Sequence, residues 1–81
     1  MEDKDILQRI RLLVGEEHQL RSRYAEGSPL SDDELLRLQD LEERLDLCWD
    51  LLRQRRARRE WGQDPESAHE RPVREVEAYL Q

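Results

Sequence analysis

Arginine is the residue type whose number and spacing point most directly to chemistry in this chain. Five arginines fall within residues 53–59, and Glu60 and Trp61 follow them. Guanidinium groups bind carboxylates and phosphates through paired N–H donors, so such a cluster suits an acidic protein surface or the backbone of RNA or DNA. The candidate partner-binding residues are Arg53, Arg55, Arg56, Arg58 and Arg59.

The same arginines also have a purely structural explanation. Cations near the end of a helix complement its dipole, and Glu60 lies within reach of Arg56. The acids at the start of the chain, Glu2, Asp3 and Asp5, are predicted to lie close to the cluster. On a helix Arg55 and Arg59 share one face while Arg56 points about 100° away, so the charge surrounds the helix. Both interpretations stay open at this stage.

Other residues that carry chemistry are few and scattered. His18, His69 and the single Cys48 lack the matched spacing of a metal site. Cys48 falls at an apolar position, which favours a core residue over a nucleophile. We therefore expect no enzyme, no cofactor and no metal. A small helical enzyme of the chorismate-mutase type, which holds a dianion with buried Arg and Lys, is the third alternative, and here Lys4 is the only lysine.

Composition and charge limit the class of protein. The 81 residues suffice for one small domain, and 42 % of them are charged, so the apolar minority must be well arranged. A net charge of −6 argues against broad adhesion to nucleic acid or anionic membranes. One cysteine, the lack of a signal pattern and the lack of a membrane-length apolar run predict a cytoplasmic protein without membrane contact.

Two long helices must position these residues. Apolar residues spaced by three and four predict a first helix over 3–26, with Asp3 as its N-cap, and a second over 32–61. The seam of the first helix contains Ile6, Ile10, Leu13, Leu20 and Tyr24. The seam of the second contains Leu38, Leu41, Leu45, Cys48 and Leu52.

The connection at 27–31 predicts a reversal of the chain. Gly27 suits the left-handed residue after a helix, Pro29 cannot continue a helix, and Ser31 with Glu34 forms a capping box. Helices joined by so short a link pack antiparallel. The predicted register then places Leu45 near Leu13, Cys48 near Ile10 and Leu52 near Ile6.

Further apolar residues lie beside the seam of the second helix and require a cover. This dimer or tail-docking surface comprises Leu36, Leu47, Leu51 and Trp49. A linker over 62–71, with a helical turn at Asp64-Pro65, and a tail helix over 72–81 follow. The tail could cover this surface, or a second copy could complete a four-helix bundle.

The runs CWDLLRQRRARRE at 48–60 and DILQRIRLLVGEEHQLR at 5–21, together with the ending VEAYLQ, resemble a family of short actinobacterial proteins. That family is catalogued as a domain of unknown function, family 2630. The resemblance extends over essentially the whole chain and implies a cytosolic actinobacterial protein. It implies no activity and no site residues.

These observations predict an all-α protein: an antiparallel two-helix hairpin, coiled-coil-like, with a short C-terminal helix in a single domain over 1–81. We expect a non-enzymatic scaffold or regulator that binds a protein partner through the arginine-rich end of the second helix. A homodimer is one expected assembly. The alternative function is an RNA- or DNA-associated factor that binds phosphate through the same arginines.

Overall fold

The computed structural model describes residues 2–80, and the side chains of residues 2–78. Within that range the chain is helical without strands, which confirms the all-α hairpin with a short C-terminal helix. The molecule measures 50 × 25 × 16 Å. Its elements are α1 (Asp3–Ala25), α2 (Asp32–Glu60), a 3-10 turn (Pro65–Ser67) and α3 (Val73–Leu80). The predicted linker therefore contains the helical turn at Pro65, and Gln81 at the end of the predicted tail lies outside the described residues.

The reversal between α1 and α2 is fixed by backbone geometry and by a cap. Gly27 has a φ of 89°, and the N–H of Ser28 donates to the carbonyl of Arg23 at 3.1 Å. This pattern closes the end of α1 in a Schellman motif. At the start of α2, Glu34 N–H donates to Ser31 Oγ at 3.1 Å while Ser31 N–H donates to Glu34 Oε1 at 3.0 Å. The predicted capping box is thus confirmed.

The start of α1 differs from the prediction. The N-cap is Glu2 and not Asp3, and the backbone N–H of Glu2 donates to Asp5 Oδ2 at 2.9 Å. Asp3 is the first helical residue, and its carboxylate accepts hydrogen bonds from α2. The N-cap assignment to Asp3 is therefore wrong, because that side chain is already engaged across the hairpin.

The core lies along the contact between α1 and α2. A buried cluster forms from Ile6, Ile10, Leu45, Cys48 and Leu51. Leu13, Leu52 and Ala68 pack against it. All three predicted facing pairs are therefore found within one cluster. Each fully buried leucine or isoleucine contributes about 1.5–3 kcal/mol relative to an exposed one, so this stripe supplies much of the stability of the hairpin.

The segment after α2 returns along the same helix. Arg71 Nε lies 3.2 Å from Oδ2 of the buried Asp50, and Gln54 Nε2 donates to the carbonyl of His69 at 2.8 Å. The 3-10 turn and α3 both pack on α2. Val76 of α3 is 1 % exposed. The helix α2 is thus covered by α1 on one side and by the returning chain on another.

Two glycines give opposite expectations on substitution. We expect Gly27→Ala to destabilise the protein by about 1 kcal/mol, because its positive φ strains a residue with a Cβ. Gly15 lies inside α1, and a Cβ built there meets no atom within 4 Å, so no close backbone approach requires this glycine. We expect Gly15→Ala to stabilise by about 0.5–1 kcal/mol through higher helix propensity. Urea unfolding followed by circular dichroism measures both, and equal signs for the two would contradict this account.

Candidate functional site

The end of α2 is set by a second Schellman motif. Gly62 has a φ of 70°, the N–H of Gln63 donates to the carbonyl of Arg58 at 2.7 Å, and that of Gly62 donates to Arg59 at 3.2 Å. This places Trp61 at the C-cap, with 81 % of its surface exposed. A large apolar side chain is therefore held in solvent at a defined position beside the arginines.

Two of the five arginines are engaged inside the molecule. Arg55 is 6 % exposed, and its Nε donates to Asp3 Oδ1 at 2.6 Å. Its other nitrogens donate to Glu66 Oε1 at 3.2 Å, and Nη1 also donates to the carbonyl of Pro65 at 3.3 Å. Arg59 Nη2 donates to Asp3 Oδ2 at 2.6 Å. We call Asp3, Arg55, Arg59 and Glu66 the Asp3 network. It joins the start of α1, the end of α2 and the 3-10 turn.

The charges in this network reinforce one another. Hydrogen bonds from Arg59 and then from Arg55 lower the pKa of the Asp3 carboxyl below its ordinary value of 3.8. The hydrogen bond to Asp3 raises the pKa of the Arg55 guanidinium, and Glu66 adds to that shift. The Asp3 carboxyl and the Arg55 guanidinium therefore both stay ionised throughout the neutral range.

Two other arginines line a groove. One open hollow of about 240 Å³ is bounded by Gln54, Ala57, Arg58, Trp61, Gln63 and Arg71. A second, of about 190 Å³, shares three of these residues and adds Asp50 and Arg53. We call the two hollows together the arginine groove. It carries Arg53, Arg58 and Arg71, with Trp61 at one end.

Arg56 stands apart from both sets. Its side chain is 78 % exposed, and its Nε lies 3.2 Å from Glu60 Oε1, one turn along the same helix. Such an exposed pair contributes little to stability. The structure thus divides the five predicted residues: Arg55 and Arg59 belong to the Asp3 network, Arg53 and Arg58 to the groove, and Arg56 to the open surface.

The predicted dimer or tail-docking surface is divided in a similar way. Leu51 is buried in the cluster against which Ala68 packs, and Leu47 lines a hollow with Glu70. These two leucines therefore face the returning chain. Leu36 and Trp49 remain exposed, with Trp49 at 50 %.

Cys48 does not have the properties of a nucleophile. Its side chain is buried, and burial raises the pKa of its thiol, although Arg9 opposes that shift. Within residues 2–80, no three His, Cys, Asp or Glu residues come together in an arrangement that could hold a metal ion. No helix in the same range combines the length and the apolar character needed to cross a membrane.

One acidic contact was missed by sequence reasoning. The Asp46 carboxyl on α2 lies next to that of Glu77 on α3, and its proximity raises the pKa of Glu77, as does burial. Glu77 Oε1 is enclosed and has no hydrogen-bond partner. In the sequence, the neighbour of Glu77 is Arg74, three residues earlier on the same short helix. The contact between Glu77 and Asp46 could not be seen there, because it depends on where α3 docks.

The fold and the site define a helical-hairpin protein with an arginine-lined groove at one end of its central helix. The chain belongs to the family described as a protein of unknown function, DUF2630, whose model matches residues 2–81. It is 47 % identical over 77 residues to the uncharacterized protein Rv0898c of Mycobacterium tuberculosis. The same holds for the uncharacterized protein Mb0922c of Mycobacterium bovis. Each match covers 95 % of this chain and 88 % of the relative. No solved structure matches the chain.

The Asp3 network predicts that Arg55 and Arg56 differ strongly on substitution. Arg55→Ala leaves Asp3 and Glu66 without their shared partner, and we expect it to lower the free energy of unfolding by about 2–3 kcal/mol. Arg56→Ala is the matched control, with an expected change within about 0.5 kcal/mol. Urea unfolding at pH 7 measures both. Equal effects would show that burial of Arg55 contributes no stability.

The lowered pKa of Asp3 predicts an acid-dependent contribution to stability. A group whose pKa is lowered by folding stabilises the protein above its ordinary value, here 3.8, and this contribution disappears as the pH falls through the lowered pKa. We therefore expect Asp3→Asn to be less stable than the wild type at pH 6, and the gap to close on acidification below pH 3.8. A pH series of urea unfolding measures the gap. A gap that stays constant would rule out the ionised Asp3 as its source.

Proposed function

We propose that this protein is a non-enzymatic binding module that recognises an acidic segment of a partner protein in its arginine groove. The observation that carries the proposal is the position of Trp61. This side chain is held 81 % exposed by the end of α2, immediately beside Arg58. Trp and Arg are the residue types most enriched among the side chains that dominate binding energy at protein interfaces.

Charge and shape support an acidic, partly apolar ligand. The groove is lined by Arg53, Arg58 and Arg71, of which Arg71 is paired with Asp50, and the guanidinium group of Arg58 suits a carboxylate. Trp61 supplies apolar contact area at one end, so a segment with acidic residues next to a bulky apolar one fits both features. The proposal places the protein in the cytoplasm. Its single cysteine cannot form an internal disulfide and therefore suits a reducing compartment.

The nucleic-acid alternative has less support from the geometry. Asp3 accepts hydrogen bonds from Arg55 and Arg59, which removes two of the five cations that a phosphate backbone would contact. With a net charge of −6 as well, the protein gains little from the long-range attraction that dominates binding to nucleic acid.

Fluorescence of Trp61 tests the binding proposal directly. In a Trp49→Phe background, Trp61 is the only tryptophan. We expect its emission to change on titration with a glutamate-rich peptide that contains leucine, and the affinity to weaken with salt. Arg58→Glu should weaken binding at least tenfold. Arg56→Glu, with the same charge change on the open surface, should weaken it much less.

The same titration separates the alternatives. A response to a single-stranded oligonucleotide but not to the peptide would replace the proposal with the phosphate-binding function. A response to neither would refute both, since each requires an accessible groove. Equal loss in the Arg58 and Arg56 variants would show that net charge, and not the groove, drives binding.

A second surface supports self-association. Leu35 and Trp49 lie two heptads apart on α2, Leu7 and Val14 lie one heptad apart on α1, and all four are exposed. The first turn of α2 is acidic, from Asp32 to Glu34, and its last turns are basic. Two copies in antiparallel orientation would therefore bring each acidic tip beside the basic end of the other, which favours a second copy as the occupant.

Light scattering at about 100 µM tests this assembly. At that concentration a dimer of micromolar affinity is almost fully populated. We expect a dimer that Trp49→Glu weakens at least tenfold. Leu12→Glu places the same charge on an exposed leucine outside this surface and serves as the control. A wild-type protein that is monomeric at this concentration, or equal effects of the two variants, would contradict the dimer.

A further inference from the structure

The attachment of α3 depends on α2 alone among the described helices. Its eight residues, Val73–Leu80, are too few to form a stable helix in water without packing. Val76 supplies buried apolar contact, and the pair between Arg71 and Asp50 anchors the segment just before the helix. With so few contacts, the balance between docked and undocked α3 is sensitive to a single charge.

An acidic pair lies within this interface. Glu77 on α3 meets Asp46 on α2, and the charges of Glu43 and Glu42 act on it from the same helix. Each of these three α2 groups is a carboxylate. On α3 itself Arg74 lies one turn earlier and is exposed, and Glu75 is paired with Arg71 at 3.7 Å. One oxygen of Glu77 is enclosed without a hydrogen-bond partner.

The Glu77 carboxyl, next to that of Asp46, is most stable in its neutral form. When both are ionised, they repel each other, and the enclosed oxygen loses hydration without gaining a donor. Protonation of Glu77 therefore favours docking of α3. Undocking removes the repulsion because it returns the Glu77 carboxylate to water.

We propose that α3 is a pH-sensitive strap, docked on α2 while the enclosed Glu77 carboxyl is neutral and released when that carboxyl ionises. The inference is independent of the binding function, because it concerns a different part of α2. The α1–α2 hairpin stays intact on release, since α1 makes no contact with α3 among the described helices. The strap therefore moves without unfolding the protein.

The direction of the response follows from linkage. The hydrogen bond with Asp46, followed by burial and the charges of Asp46, Glu43 and Glu42, raises the pKa of Glu77 above its ordinary value of 4.5. A group with a raised pKa contributes fully to docking below that ordinary value, and the contribution is lost as the pH rises through the raised pKa. This is opposite in sign to Asp3, which stabilises the hairpin only while it is ionised.

Backbone carbon chemical shifts measured by NMR test the strap residue by residue. In the full-length wild type we expect the helical population of residues 73–78 to fall at least twofold between pH 5 and pH 8, with α1 and α2 unchanged. Glu77→Gln keeps a hydrogen-bond donor for Asp46 and carries no charge. Its α3 should stay helical at both pH values.

Two further variants complete the test. Asp46→Asn should also keep α3 docked at pH 8, because its amide donates to the Glu77 carboxylate. Glu75→Gln makes the same chemical change at an exposed position of α3 and should retain the wild-type response. The proposal is overturned if wild-type α3 is equally helical at pH 5 and pH 8, or if Glu77→Gln shows the same pH response as the wild type.

Discussion

The guanidinium group of Arg55 is the constraint on which the rest of the structure depends. A charge that is 6 % exposed must have its donors paired, and Arg55 takes its acceptors from Asp3 and from the 3-10 turn. The start of α1 and the segment after α2 must therefore both meet the same turn of α2. This one group closes the open end of the hairpin, which the leucine contacts alone would leave free to fray.

The same pairing decides where the cations of the arginine-rich segment lie. Because Asp3 also accepts from Arg59, the arginine-rich segment is divided between an internal network and a groove on the opposite side of the helix. Arg71, which pairs with the buried Asp50, forms one wall of the groove. Internal electrostatics thus shapes the external surface, and a high local count of arginine does not by itself measure the charge offered to a partner.

The hairpin could be predicted because local signals agreed: the leucine spacing, the capping box at Ser31 and a glycine followed by Pro29 at the turn all indicate the same reversal. Arg55 also carried a signal, since it continues the three-four spacing after Leu52. The contacts of Glu66 and Glu77 could not be predicted, because both lie beyond the loop that begins at Gly62. Their positions depend on the path of that loop and not on any periodic pattern.

The central position of α2 has a consequence for how the chain acquires its structure as it is made. Every described element packs against α2, and α1, which is synthesised first, precedes it directly. As the ribosome releases the chain, the two long helices can pair while the last segment is still enclosed in the exit tunnel. We expect the newborn protein to pass through a stage in which one side of α2 is bare, so that chaperones and translation-associated factors meet a surface that the finished protein hides.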